Sequence, residues 1–548
     1  MDILAAEDFI YDDLLDDSSY EEHEDFLDSY GDDSDYYHDH MHRNSEQTIQ
    51  ELFFHCLRPT LQDVWWQFLW PILTVNFLAF ILITFVNHQQ RLKRFTIQAN
   101  EFILIISGYS LLINHYYFEN FNQLLFLTVV IIMSSIFISI LITYDIHDYY
   151  GLKFVWSTHL IVIALNEFII FFITDSSDWI KLRPNLMLIL MKSISYFHEK
   201  QFYSKKKKDL KNNDDFPAIL LEYSAYILHP CTILLGIWHP FNDPKKLFAT
   251  NQNLKQNFIN SFCSLLLSLL FLLCSTCLID YFFNHIVFEY LDAFIRGILA
   301  EDSQTSYVWL FIIRILRSYS IAIQFHYSHY FICYLGQSMF DLWKFDQQQQ
   351  QITKPLSIEW PRSLVDVVVA WNIPMHQWLK RYVFQIMKNN LQNIYLTILA
   401  TYFLSSYLHG FNFQIWTVLL TLGLITQAEF KLRKSLANFW SACVESRKCQ
   451  YDYYVYDDDD DNDDNNYSLV CRHGHRNIRN VWSVRLTNLF FTILALFHLA
   501  FLGATFDGQP DSSTIENVWT VWKDLHFYPF ITMTIMFIVY KIISFINS

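Results

Sequence analysis

Ser405-Ser406-Tyr407-Leu408-His409-Gly410-Phe411 closes an apolar run that begins at Leu391. A run of that length is close to the ~20 residues that cross a bilayer as a helix. Upstream lies Trp371-Asn372-Ile373-Pro374-Met375-His376-Gln377-Trp378-Leu379-Lys380-Arg381-Tyr382-Val383-Phe384, which is amphipathic and carries its cations late. Together they set the fold class: helices in lipid, with one imidazole at the end of a span. A group that can carry charge is expensive inside a bilayer, so an intramembrane histidine is a functional candidate by default.

The rest of the chain agrees. Of its 548 residues, 53% are hydrophobic and 18% aromatic, too apolar for a single water-soluble domain. Apolar segments lie near 65–87, 101–117, 123–143, 153–174, 217–238, 257–283, 306–343, 391–409, 413–428, 487–506 and 526–546. The shorter run 186–197 reads as a segment that re-enters the membrane, and 306–343 is long enough for two helices. The expected architecture is an all-α multipass transmembrane bundle with about eleven spans. Trp65, Trp66 and Trp70 anchor the first span at the interface.

The net charge of −17 is not one surface. Much of it sits in residues 2–39 and 452–464, and the remainder is close to neutral. No basic groove with stacking aromatics is present, which argues against nucleic acid as a partner. Residues 1–60 read as an acidic tail without stable structure. It is either a solvated tail or a lure for a basic partner. Residues 61–548 read as one membrane domain, interrupted by low-complexity insertions at 347–351 and 452–466. No signal peptide is evident after Met1, so the first span would act as its own targeting signal.

Charge orients the chain, because basic loops stay in the cytosol. Residues 88–98, 199–211, 344–388 and 431–448 are basic, whereas 507–517 is acidic and has no Lys or Arg. The N-terminal tail is then lumenal and the C-terminus cytosolic. The nine cysteines are scattered. Cys263, Cys274, Cys277 and Cys333 lie in apolar runs and read as small core residues, with no disulfide expected among them.

Trp371-Asn372-x-Pro374, then His409, then Phe497-His498-Leu499-Ala500-Phe501-Leu502-Gly503-Ala504-Thr505-Phe506-Asp507 follow one another in a fixed order. With the stretch 415–443, this pattern resembles the membrane-bound O-acyltransferase (MBOAT) family. It is similar above all to the branch that attaches palmitoleate to Wnt proteins. The resemblance runs almost unbroken from Trp371 to about Ile543. It is looser in the first half, at Glu222-Tyr223 and Gly236-Ile237-Trp238. It implies an internal substrate tunnel, an endoplasmic reticulum membrane location, palmitoleoyl-CoA as acyl donor and a Wnt serine as acceptor. It requires no further cofactor, metal or covalent enzyme intermediate. A family member acting on a lysophospholipid or other lipid acceptor is the alternative. A transporter would bring more buried charges and inverted repeats than this sequence contains.

The family's catalytic histidine matches His409, and its active-site asparagine matches Asn372. A neutral imidazole can accept a proton near pH 7. An amide can hold a thioester carbonyl, stabilise its oxyanion or position a hydroxyl. The competing readings are a hydrogen-bonded structural histidine and a helix or turn cap near Pro374. His229, His239, His326, His329 and His498 read as satisfied structural histidines, with tunnel lining as the alternative for His326 and His329. Cys443, Cys449, Cys471, His473 and His475 have the donor types of a zinc site, but their spacing fits no standard finger. S-acylation or free thiols are the other readings, and no metal site is assigned.

Overall fold

The computed structural model describes residues 52–70, much of 72–85, 108, 121–144, 149–172, 177–206, 216–229, 232, 235–241, 254–291, 303–343, 351–448, 451–456, 467–471, 482–506 and 515–546. The expected span at 101–117 and most of the acidic tail lie outside these residues. Helix α1 occupies residues 53–69, so helical structure begins inside the stretch expected to be a tail. The described chain is helical except for one antiparallel hairpin, β1 (Tyr451–Tyr456) with β2 (Tyr467–Cys471). Its register runs from Tyr451 opposite Cys471 to Tyr456 opposite Tyr467, so strands flank the Asp/Asn tract. Six described helices are long and apolar enough to cross a membrane. The chain forms two units, residues 1–297 with 324–347, and residues 298–323 with 348–548.

In the first unit α2 (Phe121–Thr143), α3 (Tyr149–Phe172) and α4 (Arg183–Lys206) pack together, and α5 (Phe216–Ile227) lies against α2. Apolar surface alone does not drive helix association in lipid, so polar contacts between helices matter there. Ser134 and Ser193 both meet the His159 Nε2 at 3.0 Å and the Tyr223 hydroxyl at 2.8 and 2.6 Å. This buried knot joins α2, α3, α4 and α5. Arg183 forks onto Glu167 with two bonds of 2.7 Å, which ties α4 to α3. The run 186–197 is therefore the buried middle of a 24-residue helix and not a short re-entrant piece.

The expected span at 217–238 is also corrected. Among the described residues one helix covers 216–227 and ends before His229, and Thr232 is helical again beyond it. Twelve residues rise roughly 18 Å, well short of a ~30 Å hydrocarbon core. The cause is local. The buried Lys192 ammonium binds the carbonyls of Tyr226 (2.5 Å) and Ile227 (3.3 Å) and the Thr232 hydroxyl (2.5 Å). A cation on the last carbonyls satisfies a helix end that lipid would leave bare. The chain then runs on through Gly236, whose φ of 66° needs no side chain.

Helix α6 (Lys255–Leu291) follows, then α7 (Ser303–Trp343), one continuous helix of 41 residues where two were allowed for. Cys277 of α6 is bonded to Cys56 of α1, with Cα atoms 5.9 Å apart. Cys277 is thus not the unpaired core residue expected from its apolar run, because its partner Cys56 lies 221 residues away, beyond any local pattern.

In the second unit the basic stretch 344–388, expected as a loop, is largely helical. It forms α8 (Leu364–Trp371) and α9 (residues 373–391). Trp378, Tyr382 and Val383 are buried at helical spacing while Lys380 and Arg381 stay exposed. Helix α10 (Ile394–Leu408) follows, and α11 (Phe413–Trp440) carries on well beyond the expected end at 428. Helices α12 (Trp482–Gly503), α13 (Ile515–Asp524) and α14 (Tyr528–Ile546) complete the unit. A core of Phe501, Val518, Trp522 and Leu525 joins α12 to α13. A Cβ on Gly503 would sit 2.5 Å from the Ala322 Cβ, so α12 and α7 touch backbone to backbone there.

Candidate active site

Asn372 occupies the corner between α8 and α9, with φ −136° and ψ 91°. Its Oδ1 accepts from the Met375 backbone N–H at 3.0 Å, which caps α9, and Pro374 sits in the first turn where its missing N–H costs nothing. The cap reading is thus observed. It uses the amide carbonyl and leaves the Nδ2 donors available. Residues 352–354 hold the corner in place. Ile352 O accepts from Ile373 N at 2.8 Å, and Ala370 O accepts from Lys354 N at 3.1 Å and from the Thr353 hydroxyl at 3.0 Å. These residues follow directly on the polyglutamine run, and nothing in their sequence announced the role.

The chain reverses at Gln392, whose φ of 52° is left-handed, and Asn393 caps α10. Helix α10 packs back on residues 379–391 of α9. The two arms rise roughly 28 and 22 Å. Asn372 begins the first arm and His409 ends the second. The hairpin thus directs both toward its end opposite the Gln392 turn.

His409 is the C-terminal cap of α10, half-buried, with φ −83° and ψ 6°. Its N–H donates to Ser406 O at 3.1 Å and Gly410 N–H to Tyr407 O at 3.0 Å. Gly410 takes φ 83°, which permits the sharp exit before Asn412 caps α11. The Trp416 indole N–H donates to Gly410 O at 2.7 Å, and Phe411 packs on Tyr407 and Trp416. An aromatic collar therefore fixes the turn that carries the imidazole. Gln414 donates to Thr505 O, which brings the end of α12 to the same turn.

A second cluster braces the site and was missed. Arg433 on α11 is fully buried and donates to Val444 O (2.8 Å), Arg362 O (2.5 Å), Glu445 O (3.1 Å) and Asn488 Oδ1 (2.8 Å), and pairs with Glu429 at 3.3 Å. Glu429 in turn accepts from Leu364 N at 3.0 Å, the first residue of α8. Arg362 donates to Cys443 O and Glu445 O, and Ser363 to Ser446 O. The turn 441–447 is thereby fastened to the start of α8, one helix before Asn372. The signal was a Glu and an Arg four apart on an apolar helix. On α9, burial, reinforced by Lys380 and Arg447, holds the His376 imidazole below its ordinary 6.5.

Three of the other candidate histidines have hydrogen-bonding partners, and His229 meets the His239 ring edge-on. His239 Nδ1 donates to Pro240 O at 2.9 Å, His329 meets the Cys333 sulfur at 3.4 Å, and His498 bonds the Thr532 hydroxyl at 2.8 Å. Of the candidate metal ligands, Cys443 is buried in the fastened turn and outside any disulfide, and Cys471 ends β2. Cys449, His473 and His475 lie outside the described residues. No group of three ligand-type side chains occurs among the described residues.

A helical hairpin in a multipass protein, with an amide at the start of one arm and an imidazole at the end of the other, has the parts of a membrane acyltransferase. The chain belongs to the membrane-bound O-acyltransferase family, whose model matches residues 111–444, a stretch that includes both Asn372 and His409. It is 30% identical to the protein-serine O-palmitoleoyltransferase porcupine of Mus musculus, over 88% of this chain and 94% of that one. Against the enzyme of the same name from Homo sapiens the figures are 33%, 64% and 70%, and against that from Anopheles gambiae 32%, 64% and 66%.

Proposed function

We propose that this chain is a protein-serine O-palmitoleoyltransferase of the endoplasmic reticulum that acylates Wnt proteins from palmitoleoyl-CoA. The observation that carries the reading is the match, over 88% of the chain, to a relative bearing that activity in its name. The imidazole at the end of α10 supports it. His409 takes the proton of the serine hydroxyl as that oxygen attacks the thioester carbonyl. The carbon–sulfur bond then breaks, and the CoA thiolate recovers the proton from the imidazolium. Serine ester and free CoA thiol are the products, so the step balances without a metal or an acyl-enzyme.

Asn372 contributes donors. Its Oδ1 is engaged in capping α9, so Nδ2–H is the group that faces the thioester oxygen as negative charge develops. The basic loops support an orientation with the donor on the cytosolic side and the acceptor arriving from the lumen. Acyl transfer from defined acyl-CoAs to a serine-containing Wnt peptide tests the reading against a lysophospholipid acceptor. Transfer to the peptide alone, abolished when its serine is replaced by alanine, is the expected result. Transfer to the lipid acceptor alone overturns it.

A further inference from the structure

Cys56 lies on α1, nine residues ahead of Trp65, and its sulfur is bonded to that of Cys277 on α6. Thr60, one turn further along α1, also touches the Cys277 sulfur, at 3.8 Å. The two helices are thus pinned just outside the Trp65, Trp66 and Trp70 belt, whose rings are 40%, 61% and 51% exposed as interface anchors are. We infer that Cys56 and Cys277 are oxidised to a disulfide in the lumen, fastening the start of the first span to the lumenal end of α6. The inference rests on the lumenal placement of the N-terminal side and is independent of the acyl-transfer reading.

The compartment follows from the chemistry. Joining two thiols releases two protons and two electrons, and a dithiol–disulfide oxidoreductase of the secretory pathway accepts the electrons as its own disulfide is reduced. The cytosol keeps such pairs reduced, whereas the lumen does not. Both cysteines must then face the lumen, which constrains the intervening chain. From Leu254 to Cys277 is 23 residues, a rise of roughly 34 Å, enough to cross a ~30 Å core once. Helix α6 therefore starts in the cytosol, where Lys245, Lys246 and Lys255 belong, and ends in the lumen.

The residues ahead of α6 must begin and end on the same side. The Lys205–Lys208 run puts the chain before α5 in the cytosol. Helix α5 enters for roughly 18 Å, stops where Lys192 binds its last carbonyls, and the chain returns to the cytosol. The short helix and the disulfide are separate observations, and both fit the same topology. A full crossing at 217–238 would put Cys277 in the cytosol, away from Cys56.

The test uses the full chain in microsomes. Free thiols are alkylated with light iodoacetamide in denaturant, then the protein is reduced, alkylated with the heavy reagent and mapped by mass spectrometry. Heavy label on Cys56 and Cys277 is expected, and light label on both overturns the inference. In parallel, an Asn-Gly-Thr acceptor is inserted within 242–253 or within 292–302. Glycosylation at the second site alone is expected, and a glycan at the first overturns it.

Discussion

Replacing Asn372 by aspartate separates the observed cap from the proposed donor role. The Oδ1 of Asn372 accepts the Met375 N–H at 3.0 Å and caps α9, and aspartate caps as well as asparagine. What aspartate lacks is the Nδ2–H pair, and in the proposed mechanism it brings a negative charge to the developing thioester oxyanion. Loss of one oxyanion donor costs about 10²–10³ in rate, or roughly 2.7–4 kcal/mol. Asn372→Asp should therefore melt within a degree or two of the parent protein yet lose at least two orders of magnitude in single-turnover transfer. Asn372→Ala loses the cap as well, about 1 kcal/mol, and should also melt a few degrees lower. Transfer is read from labelled palmitoleoyl-CoA to a Wnt peptide, and melting by fluorescence-detected chromatography after heating. Parental transfer by Asn372→Asp would refute the donor role and return Asn372 to a purely structural cap.

Other expectations follow from the same structure. Arg433→Met removes the fork that fastens the turn 441–447 and strands Glu429, whose side chain is 3% exposed. Breaking a buried pair costs roughly 3–5 kcal/mol, so melting should fall by about 3–4 °C for a chain of this length and partly recover in Glu429→Gln with Arg433→Met. A shift under about 2 °C would show that the fork is not needed. His376 is held below 6.5 in the folded protein, so the unfolded chain takes up its proton first as pH falls. Between pH 7 and about 5.5 the parent should lose more stability than His376→Gln, and parallel melting curves would contradict this. Asn466-Tyr467-Ser468 is an N-glycosylation acceptor in a stretch assigned to the cytosol. It should carry no glycan in cells.

The legible parts of the fold were those where composition alone decides. Helices α2, α3, α12 and α14 fall within a few residues of apolar runs because lipid-facing surfaces must be apolar. His409 was legible for the converse reason, as one ionisable ring at the end of such a run. What the sequence hid were contacts between distant residues. Lys192 ends α5 across 34 residues, and Cys56 meets Cys277 across 221. Helix α9 was hidden because exposed Lys380 and Arg381 made its buried Trp378 and Tyr382 look like part of a basic loop. Asn372 had two readings in the sequence, cap or catalytic amide. The structure realises the cap, which occupies the carbonyl half of the amide.

The most direct test of the account is single-turnover acyl transfer by His409→Ala, measured beside palmitoleoyl-CoA binding on the same purified protein. The imidazole stands half-buried at a turn that Gly410 and Trp416 shape through the backbone, so the variant should fold and bind the donor as before. Transfer should fall by at least the roughly 10²–10⁴-fold that a general base supplies. Near-parental transfer with intact donor binding would contradict the assignment of His409 as the base, and with it the proposed mechanism.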